Sequence, residues 1–161
     1  MLLITSLLCL GLLEVATPGA AIAAVRSLEE VPGQIVYQSR QTVKDQRGYS
    51  WQAIAFKRLR ADGQTTLHLR LVGFPGAVTI EHGQPLRLTN SLGKALTAVE
   101  ADSPTVANVG EYDLLPVLSQ LQPELPLQLT IPTVIGEGRN LWISPFLVRE
   151  WQTLSDLQRQ N

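Results

Sequence analysis

Two histidines, His68 and His82, are the side chains of this 161-residue chain best suited to moving protons or binding a metal. Either task needs further nitrogen or carboxylate groups converging on the ring. Glu81 adjoins His82, but neighbours along a strand point to opposite faces, so the adjacency makes no ligand pair. The segment 108–113, Asn-Val-Gly-Glu-Tyr-Asp, brings Glu111 and Asp113 close together. They read either as an acid/base pair or as the acidic start of a helix, where the dipole is positive. The helix is the simpler reading, because the sequence places no partner against either acid. There is no GxSxG elbow, HExxH pair, P-loop or GxGxxG, and Gly73-Phe74-Pro75-Gly76 is a turn without a following helix. The expectation is therefore no catalytic residue, no metal site and no cofactor.

Composition narrows the partners. With 45% hydrophobic and 17% charged residues the chain is long and apolar enough for one core. Residues 1–13 are an apolar run, followed by Pro18-Gly19 and Ala21-Ile22-Ala23, the pattern of a secretory signal with its cleavage triplet. The run is shorter than the ~20 residues of a membrane span, so no permanent span is expected after cleavage. No Lys or Arg precedes it, which departs from the usual signal. Removal of residues 1–23 takes away Cys9 and Glu14, leaving a cysteine-free mature chain with 13 acids against 13 bases. Such a chain has no disulfide, no thiolate metal site and no global field for nucleic acid. The expected organisation is a signal peptide at 1–23, a short lead-in at 24–33 and one β-rich domain at 34–161.

Three strands position the chemistry-bearing residues: 34–44, 49–58 and 64–72, joined by turns at 45–48 and at Asp62-Gly63. A four-residue first loop pairs Tyr37 with Phe56, and a two-residue second turn pairs Phe56 with Leu69. Both registers send Ile35, Tyr37, Ile54, Phe56, Leu67, Leu69 and Leu71 to the core. The opposite face then carries Arg40 and Arg70 across Ala53 and Ala55, with Trp51 at one end and Lys57 and His68 at the other. Arginine suits planar anions. Arg40, Trp51, Lys57, His68 and Arg70 are thus the candidate partner- or anion-binding face. An ordinary solvated sheet side would also carry Arg and Lys, which discourage edge aggregation.

Farther along, strands are expected at 77–81, 86–90, 95–99, 127–131 and 139–143. A short helix is expected over 111–121, with Asp113 as a cap, and a C-terminal helix begins at Ser144-Pro145. That helix sets Leu147, Trp151 and Leu154 on one face, while alternation sends Trp142 away from Leu141 and Ile143. The fold class is mainly β: an antiparallel β-sandwich or partly open barrel of about eight short strands, with a short helix near 113–121 and a C-terminal helix.

VYQSRQTVKDQRGYSWQAIAFKR at 36–58, LRLVGFPG at 69–76, NVGEYDLLPVL at 108–118 and Glu150-Trp151 together resemble the uncharacterised cyanobacterial family known as domain of unknown function 3122. The resemblance covers roughly 34–152. It implies a cyanobacterial source, where an exported protein goes to the periplasm or the thylakoid lumen, and brings no assigned activity or site residue. Three functions remain in view. The first is a non-catalytic accessory protein that binds a protein partner or anionic group through the polar face. The second is a small-barrel carrier of an apolar or amphipathic ligand. The third, weaker, is a small hydrolase using His68 or His82 with an acid from 111–113.

Overall fold

β2 (Gln34–Lys44), β3 (Ser50–Leu59) and β4 (Thr65–Val72) form the expected antiparallel meander. Both of its turns hold three residues. Asp45 N donates to Tyr49 O at 2.9 Å and Gly48 N to Asp45 O at 2.9 Å, with Gly48 at φ 84°. Arg60 N donates to Gln64 O at 2.9 Å and Gly63 N to Arg60 O at 3.1 Å, with Gly63 also at φ 84°. Each is a turn closed by a left-handed glycine, which the missing Cβ permits. The four-residue and two-residue loops expected from the sequence each miss by one. Tyr37 therefore pairs with Lys57, and Phe56 with His68.

A slip of one residue inverts a strand. Because both slips involve β3, that strand alone is turned over. Trp51, Ala53, Ala55 and Lys57 face inward, and Ile54 and Phe56 face outward. The predicted placement of Trp51 and Lys57 on the outer face is thereby corrected, as is the pairing of alanines with Arg40 and Arg70.

The computed structural model describes residues 25–102 and 105–157, and the expected signal segment 1–23 lies outside them. The expected lead-in is in fact a strand, β1 (Arg26–Val31), which hairpins onto β2 around Gly33 at φ 82°. β5 (Leu86–Asn90) and β6 (Ala95–Ala98) make the expected second hairpin. β7 (Val109–Asp113) returns to pair with β4, so the helix expected over 111–121 shrinks to α1 (Leu115–Leu118). Asp113 still accepts from the Leu115 amide at 3.0 Å, in the manner of a cap. β8 (Leu127–Ile131), β9 (Arg139–Ile143) and α2 (Pro145–Asp156) fall where expected, with Ser144 Oγ accepting from Leu147 N at 3.3 Å. The strand expected at 77–81 is absent, leaving a single bridge between Ile80 and Thr133.

Two antiparallel sheets result, ordered β1-β2-β3-β4-β7 and β6-β5-β8-β9. Neither closes on itself. Leu67, Leu69, Leu71 and Tyr112 of the first meet Leu88, Leu129, Leu141 and Ile143 of the second, while Leu147, Val148, Trp151 and Leu154 of α2 complete the same core. Asp45 ties the sheets at one corner by bridging Leu141. Its buried carboxylate accepts from Arg47 N at 2.9 Å, Tyr49 N at 3.0 Å and Trp51 Nε1 at 3.2 Å. That bond to an indole N–H satisfies Trp51, which is 1% exposed.

Candidate functional site: a cationic sheet face around Phe56

The outer face of the five-stranded sheet is set by register. Arg40, Ile54, Arg70 and Glu111 lie in one cross-strand row. Arg26, Gln38, Phe56, His68 and Asp113 form the next, and Leu28, Val36, Arg58 and Thr66 the third. Val36, Ile54 and Phe56, with Val72 against them, make a small apolar cluster separate from the main core. Arginine side chains roof it. The Arg58 guanidinium lies 4.6 Å from the Phe56 ring centre and that of Arg70 lies 5.1 Å away. The His68 ring meets Phe56 edge-on at 5.7 Å and 67°. The aliphatic stems cover apolar surface while stacking holds the charged planes over the ring.

Glu111 anchors the other side of this face. It is 4% exposed, accepting from Arg70 Nε at 2.9 Å and lying 2.8 Å from His68 Nδ1. Burial alone would push its carboxyl up, but hydrogen bonds from His68 and Arg70, together with their charges, outweigh that and hold it below the usual carboxylate range. The sequence left the acid beside His68 open between Glu111 and Asp113, because 108–113 read as a helix start. Read as a strand pairing β4, the segment puts Glu111 opposite Arg70 and on the same-face diagonal to His68, two residues along the register.

Three of the five predicted face residues, Arg40, His68 and Arg70, do share the outer face. Trp51 and Lys57 do not. Lys57 is 5% exposed, and its Nζ donates to the carbonyls of Ser155 and, at 2.6 Å, Leu157. It caps the C-terminal end of α2, where carbonyls lack helical partners and the dipole favours a cation. Its place as a buried cap explains why desolvation pulls its pKa down, with Asp156 partly opposing. Sequence reasoning also missed Arg26 and Arg58. Arg26 fell in the supposed lead-in, and Arg58 is brought outward only by the corrected register.

His82 belongs to a different place, 2.5 Å from Glu100 Oε1 and 3.2 Å from the Val106 carbonyl. Glu100 also accepts from the Gly83 amide at 2.5 Å, so the pair pins two loops. Among the described residues no three histidine, cysteine or acidic side chains gather as a metal site would require. Among them too, His68 bonds to Glu111 and to no hydroxyl or thiol. The dyad can orient the His68 ring, a role that serves catalysis only with a nucleophile or bound water beside it. Among the described residues no helix is long and apolar enough to cross a membrane.

The architecture and this face define an antiparallel two-sheet protein with an arginine-rich outer surface. The chain belongs to the family described as protein of unknown function DUF3122, matched over residues 23–154. Membership gives no sign of catalysis. Searches of curated proteins and of solved structures return no match.

Proposed function

We propose that this is an exported, non-catalytic binding protein of the periplasm or thylakoid lumen, and that its partner presents an acidic segment to the outer face of the five-stranded sheet. One observation carries the reading. In a chain of formal net charge −1, Arg26, Arg40, Arg58 and Arg70 gather on that face with, among the described side chains, the carboxylates of Glu111 and Asp113. Arg40 has no ion pair among the described residues, and the Arg70 side chain remains 40% exposed while paired to Glu111. Stacked guanidiniums around an aromatic residue resemble the arginine-rich centre of binding surfaces and suit carboxylates.

The alternatives draw less support. A carrier of apolar ligands needs an apolar chamber, yet the space beside Leu88, Leu121, Leu127 and Val148 is about 10 Å³, room for one water, and the larger spaces of about 220 and 670 Å³ are bordered by charged residues. A hydrolase could draw on the His68–Glu111 dyad, but Arg70 competes for the same carboxylate. Loss of a hydrolytic activity in His68→Ala with His82→Ala would favour it.

The test is capture of a partner from host extract by Arg26→Glu/Arg40→Glu, compared with the wild type. Arg70→Glu is avoided because it would leave Glu111 buried beside a second carboxylate.

A further inference from the structure

The second sheet offers a groove of different chemistry on its own outer face. Thr97, Arg87, Thr130 and Asn140 run across all four strands in one row. Thr89, Gln128 and Trp142 run in the next. Over the first row lies an open groove of about 670 Å³, bounded by Arg87, Thr97 and Thr130 and by the carboxylates of Glu81 and Glu137. Four strands span roughly 14 Å at ~4.8 Å spacing. Thr130 Oγ1 donates to Asn140 Oδ1 at 2.8 Å, which orients the amide and leaves its nitrogen without a partner among the described residues. Beside this polar row stands Trp142, 59% exposed, whereas Trp51 and Trp151 are 1% and 0% exposed.

The geometry points to a saccharide-binding groove for neutral oligosaccharides. A sugar ring offers an apolar C–H face and a rim of hydroxyls. An exposed indole supplies a flat apolar surface for the first. Hydroxyl, amide, carboxylate and guanidinium groups supply both acceptors and donors for the second. Two carboxylates against one arginine weigh against an acidic sugar. The groove is open and crosses β6, β5 and β8 as far as Gly138, just before β9, which suits a chain of rings. It lies on the opposite sheet from the arginine face, so the two sites stand or fall separately.

Trp142 is its own reporter. Acrylamide quenching of the full-length protein's emission is read with cellohexaose, chitohexaose, maltohexaose or xylohexaose at up to ~10 mM, above the weak end of specific affinity. At least one neutral hexasaccharide is expected to lower the quenching constant roughly two-fold, with an oligogalacturonate giving no protection. Affinity electrophoresis in the matching polysaccharide should retard the wild type, and the retardation should vanish in Trp142→Ala and fall in Arg87→Ala. Absence of protection by all four sugars overturns the proposal, as does retardation that survives Trp142→Ala.

Discussion

Lys57→Met removes an ammonium while keeping most of the stem that packs inside the sandwich. In the wild type that ammonium donates to the Ser155 and Leu157 carbonyls at the end of α2. Hydrogen bonds from a charged donor contribute ~1.5–3 kcal/mol each, and a cation at a helix C-terminus ~0.3–1 kcal/mol. Opposing this is the cost of desolvating a side chain that is 5% exposed, which methionine escapes. The net expectation is a loss of ~2–4 kcal/mol, lowering Tm by ~6–15 °C in a domain of this size. Calorimetry and urea unfolding measure it, and hydrogen exchange should show the last turn of α2 opening first. The pH dependence adds a check. Lys57 titrates below 10.5 in the folded state, so between that lowered value and 10.5 the unfolded chain binds more protons. Wild-type stability gains from Lys57 as pH rises through that window, and the deficit of the methionine variant widens. Tyr112 cancels in the difference, being common to both proteins. A variant within ~0.5 kcal/mol of wild type at pH 7 would refute the inward orientation of β3.

Two carboxylates give opposite pH signatures. Glu111, held low by His68 and Arg70, contributes stability that is present above pH 4.5 and lost as pH falls through its folded value. Glu111→Gln should be less stable at pH 7 by ~3–5 kcal/mol, with that difference shrinking in acid unfolding curves below pH 4.5. Glu150 lies on the buried face of α2 with neither oxygen hydrogen-bonded in good geometry; burial pushes its carboxyl up, and nearby Ser39 only partly opposes this. Its ionisation costs stability as pH rises above 4.5, so Glu150→Gln should stabilise the protein at pH 7 and be neutral near pH 3 by the same assay.

The sandwich was legible because alternation and turn residues both survive small errors. β5, β8, β9 and α2 follow directly from Leu86, Leu88, Leu129, Leu141 and the Ser144-Pro145 start. The face was harder. A turn of Asp-Gly reads as two residues, but Gly63 closes a three-residue loop, and Gly48 closes another three-residue loop where four residues were expected. Agreement between the two registers gave no protection, since both errors turned over β3 and left β2 and β4 correctly related. That is why Arg40, His68 and Arg70 were placed on the right side and Trp51 and Lys57 were not. Isoleucine and phenylalanine outside, with lysine inside, contradict simple hydrophobic patterning. Arg58 and Arg70 cover Phe56, and helix carbonyls satisfy Lys57. Glu111 was named only as one of two candidate acids, and its pairing with Arg70 was hidden, because its partners lie 43 and 41 residues away, across a strand that resembled a helix start.

The arginine face is tested most directly by charge reversal at its two most separable positions. Wild type and Arg26→Glu/Arg40→Glu, matched in Tm, are used to capture partners from host extract at ~50 mM salt, where surface charges are little screened. The account predicts one acidic partner retained by the wild type, lost in the variant and released by added salt. Equal capture by both proteins would contradict it.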